Sequence, residues 1–202
     1  MLTVHHLGKS QSERIVWLCE ELELPYELKR YARDASTMLA PPDYKALHPI
    51  GSAPVITDGD LVLAESGAIV DYIAIKYGQG RLRLGPDDPG FADFLYWLHF
   101  ANGTLQAGMG RMMMLNRFNL PEDNPVLRMM RARLDRAFAL VEARCGKADY
   151  LAGPTLTTMR YFLPYDLVPF PNIRAYLARI GSRPAYQRAM AKGDPGMALL
   201  LD

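Results

Sequence analysis

The sequence has few cysteines, almost no net charge and no long apolar run, and each shortage excludes a class of protein. The two cysteines, Cys19 and Cys145, lie far apart, which argues against a disulfide scaffold and indicates reduced thiols in the cytoplasm. A formal net charge of +1 is typical neither of a nucleic-acid-binding surface nor of a polybasic membrane anchor. The apolar runs fall well short of the roughly 20 residues that cross a bilayer, so we expect no membrane partner. The N-terminal stretch MLTVHHLGKSQSER turns polar too early for a secretory signal peptide.

The patterns that are present change character part-way along the chain. The first part alternates short β-type and helical runs in the order β-α-β-(α)-β-β-α. In it, Asp58-Gly59-Asp60 predicts a hairpin turn, and the apolar spacing that begins at Ser66 predicts a closing helix. Residues 78–89, rich in glycine, proline and charge, predict a linker. We therefore predict an α/β domain over residues 1–79 and an all-α domain over residues 88–202.

Helical spacing dominates the second part. A long helix begins near Phe91, and a last pair of helices is marked by Asn172–Ile180 and Pro184–Lys192. Between them lies another long helix that Gly146 closes. Its predicted buried face consists of Val126, Met129, Met130, Leu134, Ala137, Phe138 and Val141.

An acidic residue and a hydroxyl, Glu65 and Ser66, stand where the closing helix of the first domain should begin. One interpretation is a helix cap, because serine is a good N-cap and an acid near the positive helix end is stabilising. The other is a binding site, in which the helix N-terminus and the serine hydroxyl hold a carboxylate while Glu65 pairs with an ammonium group. An α-amino acid head, which carries both charges on one carbon, would satisfy both residues.

The first helix has a similar N-terminus with two serines. Ser10 or Ser12 could cap this helix, which is the common fate of such serines. Alternatively, a hydroxyl there donates to a thiolate and, with the helix dipole, lowers the thiol pKa from its free value of about 8.5. A redox protein would place Cys-x-x-Cys at this point, whereas here Cys19 lies further along on the apolar face. The thiol must therefore come from a ligand.

Pro54 stands where the chain enters a strand, a position in which proline removes no sheet hydrogen bond. If the Ala53–Pro54 peptide bond is cis, the turn would expose the main chain of Val55 to a ligand. The residue pattern alone leaves the isomer open.

Several segments, taken together, resemble the glutathione S-transferase family over nearly the whole chain. In chain order they are SQSERIVWLCEELELPYE, ALHPIGSAPVI, LAESGAIVDYI, YLAGPTLT and PNIRAYLARIGSRPAYQRAM. The resemblance is strongest to bacterial and fungal members with a hydroxyl residue near the thiol. It implies a thioredoxin-like domain followed by a helical domain, in a cytoplasmic detoxification enzyme with glutathione as co-substrate and no metal. It also implies a homodimer built from the helices around residues 91–115 and the helix after Glu65.

The resemblance assigns roles to individual residues. Ser10 matches the catalytic serine that stabilises the glutathione thiolate, with Ser12 as the reserve candidate. Pro54 matches the cis-proline, and the Val55 main chain would pair with the cysteinyl backbone of glutathione. Glu65 and Ser66 match the pair that holds the γ-glutamyl head. In tyrosine-type members the tyrosine ends the first strand, where this chain has His5, so tyrosine chemistry is not expected.

The chain departs from the family pattern in three places. Ser52 stands where members often have Lys or Gln, and Asn102 stands where relatives often carry an acid, so both changes remove charge near the ligand. After Thr157 the family usually continues with an Asp that completes a capping box, whereas this chain has Arg160 and then several prolines up to Pro171. Because Arg160 opposes the helix dipole, we expect a short or distorted helix there.

These features together predict an enzyme that ionises the glutathione thiol for attack on a small hydrophobic electrophile or for peroxide reduction. The electrophile would lie between the domains against Met112, Met113 and Phe118, although methionine at helical spacing is usually core. The alternative is an inactive transferase-like binding or regulatory module, since a fold alone never proves activity. A glutaredoxin-like oxidoreductase would need a cysteine at the first helix.

Overall fold

The structure is a computed structural model, and it describes residues 1–147 and 154–202. Residues 1–91 with 182–198 form one compact unit, and residues 92–181 with 199–202 form a second. The predicted domains, 1–79 and 88–202, assign the last helix to the helical domain, whereas its contacts place it in the first unit. The proposed domain boundaries stay a prediction. The Tyr150–Gly153 part of the YLAGPTLT segment lies outside the described residues.

The first unit is built on a four-stranded mixed sheet in the order β2-β1-β3-β4. Its elements are β1 (Leu2–Leu7), α1 (Glu13–Glu21), β2 (Glu27–Tyr31), α2 (Pro42–Lys45), β3 (Val55–Asp58), β4 (Leu61–Ala64), α3 (Ser66–Lys76) and α9 (Pro184–Gly193). β1 runs parallel to β2 and antiparallel to β3, which pairs antiparallel with β4. This is the thioredoxin-like arrangement, and it confirms the predicted fold class.

Both faces of the sheet are covered by helices, because apolar side chains alternate along its strands. Val4 and Ile56 pack on one face with the apolar sides of α1 and α3 and with Ala189 of α9. Leu7 and Val55 pack on the other face, against Tyr44 of α2. All of these side chains are buried. The sheet therefore holds the ends of β1, β3 and β4 rigidly.

A hairpin joins β3 and β4 at the predicted Asp58-Gly59-Asp60 turn, where Gly59 has a φ of +60° that favours glycine. Asp58 also ties this hairpin to α3. Its Oδ2 accepts hydrogen bonds from Lys76 at 2.8 Å, from Tyr72 at 2.7 Å and from Tyr77. The bonds from Lys76, Tyr77 and Tyr72 hold the pKa of the Asp58 carboxyl well below its usual range.

Replacing Asp58 with alanine is expected to lower the free energy of unfolding by about 2 kcal/mol at pH 7, since three donors lose a charged acceptor. Because the folded-state pKa is depressed, the carboxylate stabilises the fold above its unfolded pKa of about 3.9, and this contribution is lost as the pH falls below that value. Urea unfolding at pH 7 and pH 3 measures both effects. As a control, Lys76→Met removes one of the three donors to Asp58, from a half-exposed side chain, and should cost less than Asp58→Ala. An equal loss at both pH values would contradict the prediction.

The second unit is helical, as predicted. Its helices are α4 (Phe91–Phe100), a π-helical segment (Ala101–Gln106), α5 (Ala107–Leu115), a 3-10 turn (Asn116–Phe118), α6 (Pro125–Cys145), α7 (Pro154–Thr157), a 3-10 turn (Thr158–Tyr161) and α8 (Pro171–Ser182). Asn124 caps α6 by accepting from the main-chain N–H of Val126 and Leu127. Glu142 of α6 caps α8, since its carboxylate accepts from the N–H of Asn172 and Ile173 at 2.9 Å.

The buried face of α6 is shorter than the spacing predicts. Leu134 and Phe138 are buried, but Val126 and Met129 near its start are 47% and 44% exposed. Phe138 stacks on Tyr165 with the ring centres 3.8 Å apart. Apolar spacing alone does not show how far along a helix its neighbours extend.

The helix after the YLAG stretch is short, as expected from its atypical sequence. α7 has four residues and passes into the 3-10 turn. Arg160 donates instead to the carbonyl oxygens of Leu200 at 3.3 Å and Asp202 at 2.8 Å. The arginine that replaces the expected capping acid therefore stabilises a different contact. Across the described ranges, no helix is both long enough and apolar enough to span a membrane.

Candidate active site

Three chain segments that carry the predicted site residues meet at one end of the sheet. Val55, the first residue of β3, pairs with His5 near the end of β1 and with Ala64 at the end of β4. The loop after β1, the turn at Pro54 and the start of α3 at Glu65 therefore lie side by side. The strand register confirms the convergence that the hairpin predicts.

The start of α3 is not capped in the way that the simpler interpretation requires. Glu65 is the N-cap residue, its side chain makes no capping hydrogen bond, and it has a φ of 69°, which is uncommon for a residue with a side chain. The side chain of Glu65 is exposed, while Ser66 is the first helical residue and is buried. The hydroxyl of Ser66 accepts a hydrogen bond from Arg14 at 3.2 Å. The main-chain conformation of Glu65 thus places its own carboxylate at the surface, beside the N-terminus of α3.

Arg14 connects the two helix N-termini. One of its guanidinium nitrogens donates to Ser66 on α3, and another donates to the side-chain oxygen of Gln11 in the loop before α1. Arg14 and Gln11 are each only 7% exposed. Burial lowers the pKa of Arg14 to about 10, partly opposed by the charge of Glu13, so the guanidinium is positive at neutral pH. The amide nitrogen of Gln11 is buried and has no hydrogen-bond partner among the residues that the structure describes.

The two serines at the start of α1 have different environments. Ser10 is 6% exposed, and its hydroxyl lies 2.7 Å from that of Ser12 and accepts from the Ser12 N–H at 3.2 Å. Ser12 is fully buried, and its hydroxyl contacts His6 and the main chain of Leu7 rather than capping the helix. The enclosed position of Ser12 leaves Ser10 as the hydroxyl nearer to solvent.

Pro54 follows a cis peptide bond, which is the isomer that the resemblance implies. Val55, whose main chain is predicted to pair with glutathione, lies inside the sheet between β1 and β4, and its role stays a prediction. Its main chain also forms a hydrogen bond with the Tyr44 hydroxyl, whose pKa is raised by burial against the effect of that bond. Ala53, on the other side of Pro54, precedes β3 and is only partly buried.

Two other groups near the sheet are unsuited to act on a thiol. His5 lies on the face opposite to His6, and its ring contacts the hydroxyls of Tyr31 and Thr57 at 3.0 and 3.3 Å. Burial and the charge of Lys29 lower its pKa. Burial also raises the pKa of the Cys19 thiol to about 12, so this cysteine stays protonated. Both findings agree with a thiol supplied by a ligand.

Sequence reasoning did not identify Gln11, Arg14, His6 or Asp194 as site residues. The sequence did carry a signal for Gln11 and Arg14, because both belong to a polar run next to an apolar helix face. A polar side chain that is buried at such a place needs a hydrogen-bond partner. His6 and Asp194 carry no such signal, because the two are joined across 188 positions of the chain. Among residues 1–147 and 154–202, no cluster of three or more acidic, histidine or cysteine side chains is arranged to hold a metal ion.

The remaining predicted contacts stay predictions. Ser52, near the cis-proline, is exposed. Asn102 lies in the π-helical segment, an irregularity often found at functional sites. Of the side chains suggested for the electrophile, Met112 is buried at 5% exposure and Phe118 is 68% exposed.

Comparison with known proteins agrees with this geometry. Residues 1–75 match the family model for the glutathione S-transferase N-terminal domain. Glutathione S-transferase 3 of Schizosaccharomyces pombe is 38% identical over 105 residues, which cover 52% of this chain and 43% of the relative. The chain thus spans less than half of that relative's length in the match. Glutathione S-transferase GstB of Escherichia coli K12 is 31% identical over 194 residues, which cover 88% of this chain and 91% of the relative.

Solved structures extend the similarity to the whole fold. A glutathione S-transferase from Actinobacillus pleuropneumoniae superposes with a TM-score of 0.86 and 31% identity, over 96% of this chain and 93% of the other. A glutathione transferase from Phanerochaete chrysosporium, crystallised with oxidized glutathione, shares the fold at 22% identity and a TM-score of 0.73, over 95% and 94% of the two chains. Since the sequence similarity to GstB and the structural similarity both extend over most of the chain, it belongs to the glutathione S-transferase family.

Proposed function

We propose that this chain is a glutathione S-transferase that binds glutathione at the end of the sheet where Ser10, Pro54 and Glu65 meet. The hydroxyl of Ser10 would donate to the glutathione sulfur and favour its thiolate form. The thiolate would attack a small hydrophobic electrophile or reduce a peroxide. Catalysis would then consist of a lowered thiol pKa together with proximity.

The hydrogen-bonded connection between the two helix N-termini carries this proposal. Arg14 joins Ser66 to Gln11, next to Ser10, so that an anion site and a thiol site are held in fixed relation. The N-terminus of α3, the Ser66 hydroxyl and the Arg14 charge suit the α-carboxylate of the γ-glutamyl head. The exposed carboxylate of Glu65 suits its ammonium group, and the buried amide of Gln11 offers a further donor.

The same arrangement supports a place for the cysteinyl part of glutathione at the turn at Pro54. We propose that its main chain pairs with Ala53 rather than with Val55, whose main chain is already bonded within the sheet and to Tyr44. An extended peptide pairs readily with main-chain groups that lie outside a sheet ladder, as those before the first residue of β3 do. This would bring the glutathione thiol from the Pro54 turn toward the Ser10 hydroxyl.

Calorimetric titration with reduced glutathione, combined with ultraviolet titration of the bound thiol, tests the site. Replacing Glu65 and Ser66 together with alanine should weaken binding at least about tenfold, since a charge pair and an anion contact are lost. Ser10→Ala should keep the affinity but lose the lowered thiol pKa. As a matched control, Asp60→Ala removes an exposed acid from the opposite end of the same hairpin and should change neither. If the wild-type protein does not bind glutathione, the alternative of an inactive binding module takes its place.

We also propose a cytoplasmic homodimer. The location is supported by Cys19 and Cys145, which are buried thiols with no disulfide between them. The dimer is supported by apolar side chains left exposed on the long helices, such as Tyr96 at 52% and Leu140 at 49%. Light scattering in solution tests it, and a mass near the 22.7 kDa of one chain would contradict it.

A further inference from the structure

A continuous chain of buried polar groups leads from Ser10 to the residue after α9. The Ser10 hydroxyl oxygen lies 2.7 Å from that of Ser12, which lies 2.9 Å from Nδ1 of His6. Nε2 of His6 lies 3.0 Å from Oδ2 of Asp194. Ser12 is fully buried, His6 is 1% exposed, and the side chain of Asp194 is 9% exposed. Such a chain, shielded from water, can move a proton in a defined direction.

The donors and acceptors of this chain can be assigned from its ends. Burial raises the pKa of Asp194, but the hydrogen bond from His6 and the contacts from Lys9 outweigh it, so the carboxyl stays ionised and only accepts. Nε2 of His6 then carries a proton, and in the neutral tautomer that this bond selects, Nδ1 is an acceptor. Ser12 donates to Nδ1 and accepts from the Leu7 N–H at 3.1 Å. Its remaining lone pair accepts from Ser10, whose own proton therefore points toward Ser12.

In this state the oxygen of Ser10 accepts from the Ser12 N–H and has one lone pair left, which suits the S–H of a bound thiol. A hydroxyl whose proton points away cannot donate to a thiolate. The chain has to reverse before Ser10 can stabilise an anion.

We propose that Ser10, Ser12 and His6 form a proton relay that carries the thiol proton of bound glutathione to His6, where Asp194 stabilises the resulting imidazolium. The thiol proton passes to Ser10, the Ser10 proton to Ser12, and the Ser12 proton to Nδ1 of His6. One S–H bond breaks and one N–H bond forms, and no proton leaves the site. Afterwards Ser10 donates to the thiolate, Ser12 donates to Ser10, and the imidazolium donates to Ser12 and Asp194.

Both states use all the hydrogen-bonding capacity of the two serines, which favours a relay over a fixed structural network. Ser12 has one donor and two acceptor sites filled in each state, and so does Ser10 once a ligand sulfur is present. The carbonyl of Leu7, 3.3 Å from the Ser12 oxygen, is the competing acceptor and is the most distant contact of Ser12. The inference depends on the proposed function, because the ligand thiol is its proton source.

The surroundings hold the His6–Asp194 pair in place. A Cβ at Gly193, the last residue of α9, would lie 3.2 Å from Nε2 of His6, and a Cβ at Gly8 would lie 3.1 Å from Oδ1 of Asp194. Oδ1 of Asp194 also accepts from the Lys9 N–H at 3.1 Å. Two glycines thus allow the close approach of the carboxylate and the ring.

The charged groups around this pair favour the ionised form of the Asp194 carboxyl. Lys9 and Arg33 both interact electrostatically with Asp194. On β2 the residue in register with His6 is Arg30, which is exposed, and on α1 the carboxylate of Glu13 accepts from Tyr186. Asp194 is therefore the acid that can stabilise the His6 imidazolium. His6, Ser12 and Asp194 act through Ser10 and are positioning residues.

Counting the protons released when glutathione binds tests the relay in the unmodified protein. Calorimetry at pH 7 in two buffers of different ionisation enthalpy gives the protons released, and ultraviolet absorbance gives the thiolate formed. S-methylglutathione, which has no thiol, gives the background from all other groups. The relay predicts that glutathione forms thiolate while releasing almost no proton beyond the S-methylglutathione background, because His6 keeps the thiol proton. Direct ionisation into solvent predicts about one proton for each thiolate.

Two variants separate the relay from a structural role. His6→Asn keeps an oxygen near the position of Nδ1 that accepts from Ser12 but cannot take a proton. Asp194→Asn removes the charge and keeps one acceptor oxygen, which can serve either Nε2 of His6 or the Lys9 N–H. Both should lower kcat/KM at pH 7 by roughly 100-fold while leaving S-methylglutathione affinity nearly unchanged. The deficit should shrink toward pH 9, where a thiol with a pKa of about 8.5 ionises unaided. A deficit independent of pH would indicate lost structure and overturn the relay.

The outcomes distinguish the relay from the proposed function. If neither glutathione nor S-methylglutathione binds the wild-type protein, the proposed function fails and the relay fails with it. If both bind and each thiolate releases about one proton, the transferase site stands and the relay is wrong. Should the variants fail to fold, the proton count on the wild-type protein still decides.

Discussion

Replacing Arg14 with methionine is expected to weaken the binding of reduced glutathione by roughly 10- to 100-fold. The guanidinium is buried between the two helix N-termini and donates to Ser66, so its charge acts in surroundings that screen it poorly. Although burial lowers its pKa to about 10, Arg14 is still positive at neutral pH. A ligand carboxylate at the N-terminus of α3 would lose this attraction, while the helix dipole and Ser66 remain.

The matched control is Arg14→Lys, which keeps the positive charge but not the two-armed contact with Ser66 and Gln11. It should recover part of the affinity that Arg14→Met loses. Arg14→Met leaves the Ser66 hydroxyl and the Gln11 side-chain oxygen without this donor, so some loss of stability is expected beside the loss of affinity. Calorimetric titration measures the affinities, and thermal unfolding shows whether the fold is intact. An unchanged affinity in Arg14→Met would show that the carboxylate lies elsewhere.

Local patterns were sufficient to predict most of the fold. The α3 helix begins at Ser66 as its spacing predicts, with Ile69 and Ile73 buried, because one apolar face must pack on the sheet. The Asp58-Gly59-Asp60 turn was also predicted, since glycine accepts the positive φ that a tight hairpin requires. What failed was the extent of burial along α6, where Val126 is exposed. That extent depends on the neighbours of the helix, which its own sequence does not specify.

The candidate site was predicted only where its residues lie at the ends of elements. Ser10, Glu65 and Ser66 could be singled out as candidates because helix starts have a recognisable chemistry, and their roles stay predictions. The local pattern could not show whether the main chain of Val55 is open to a ligand, since its place inside the ladder depends on the register with β1 and β4.

The support behind Ser10 could not be predicted. His6 looks like any inward-facing strand residue, and Asp194 follows a helix that the sequence assigns to the other domain. Their contact forms only when α9 packs on α1. The spacing of neighbouring residues does not predict a polar pair whose members lie far apart in the sequence. The sequence also does not show that Ser10 and Ser12 are hydrogen-bonded to each other and to this pair.

The packing of α9 on α1 is expected to contribute strongly to the stability of the first unit. Tyr186 is 1% exposed, its hydroxyl donates to Glu13 at 3.0 Å, and its ring meets that of Trp17 edge-on with the centres 5.1 Å apart. Replacing Tyr186 with alanine leaves a cavity between the two helices. The expected loss is about 3–5 kcal/mol of unfolding free energy, a large share of the usual stability of a domain.

The matched control is Tyr186→Phe, which keeps the ring and removes only the hydrogen bond to the buried carboxylate of Glu13. It should cost about 1.5–3 kcal/mol, so the difference between the two variants isolates the contribution of the ring. Urea unfolding measures both losses, and amide hydrogen exchange shows whether α9 opens before the rest of the unit. If the two variants lose the same amount, the ring does not hold α9.

Because α9 ends directly before Asp194, this docking also bears on the chemistry at Ser10. Tyr186→Ala should therefore lower turnover at pH 7 more than it lowers S-methylglutathione affinity, as Asp194→Asn does. Early exchange of the α9 amides together with that kinetic pattern would show that the helix positions the carboxylate. If α9 opens early and turnover is unchanged, then Asp194 is not needed beside His6, and the helix serves stability alone.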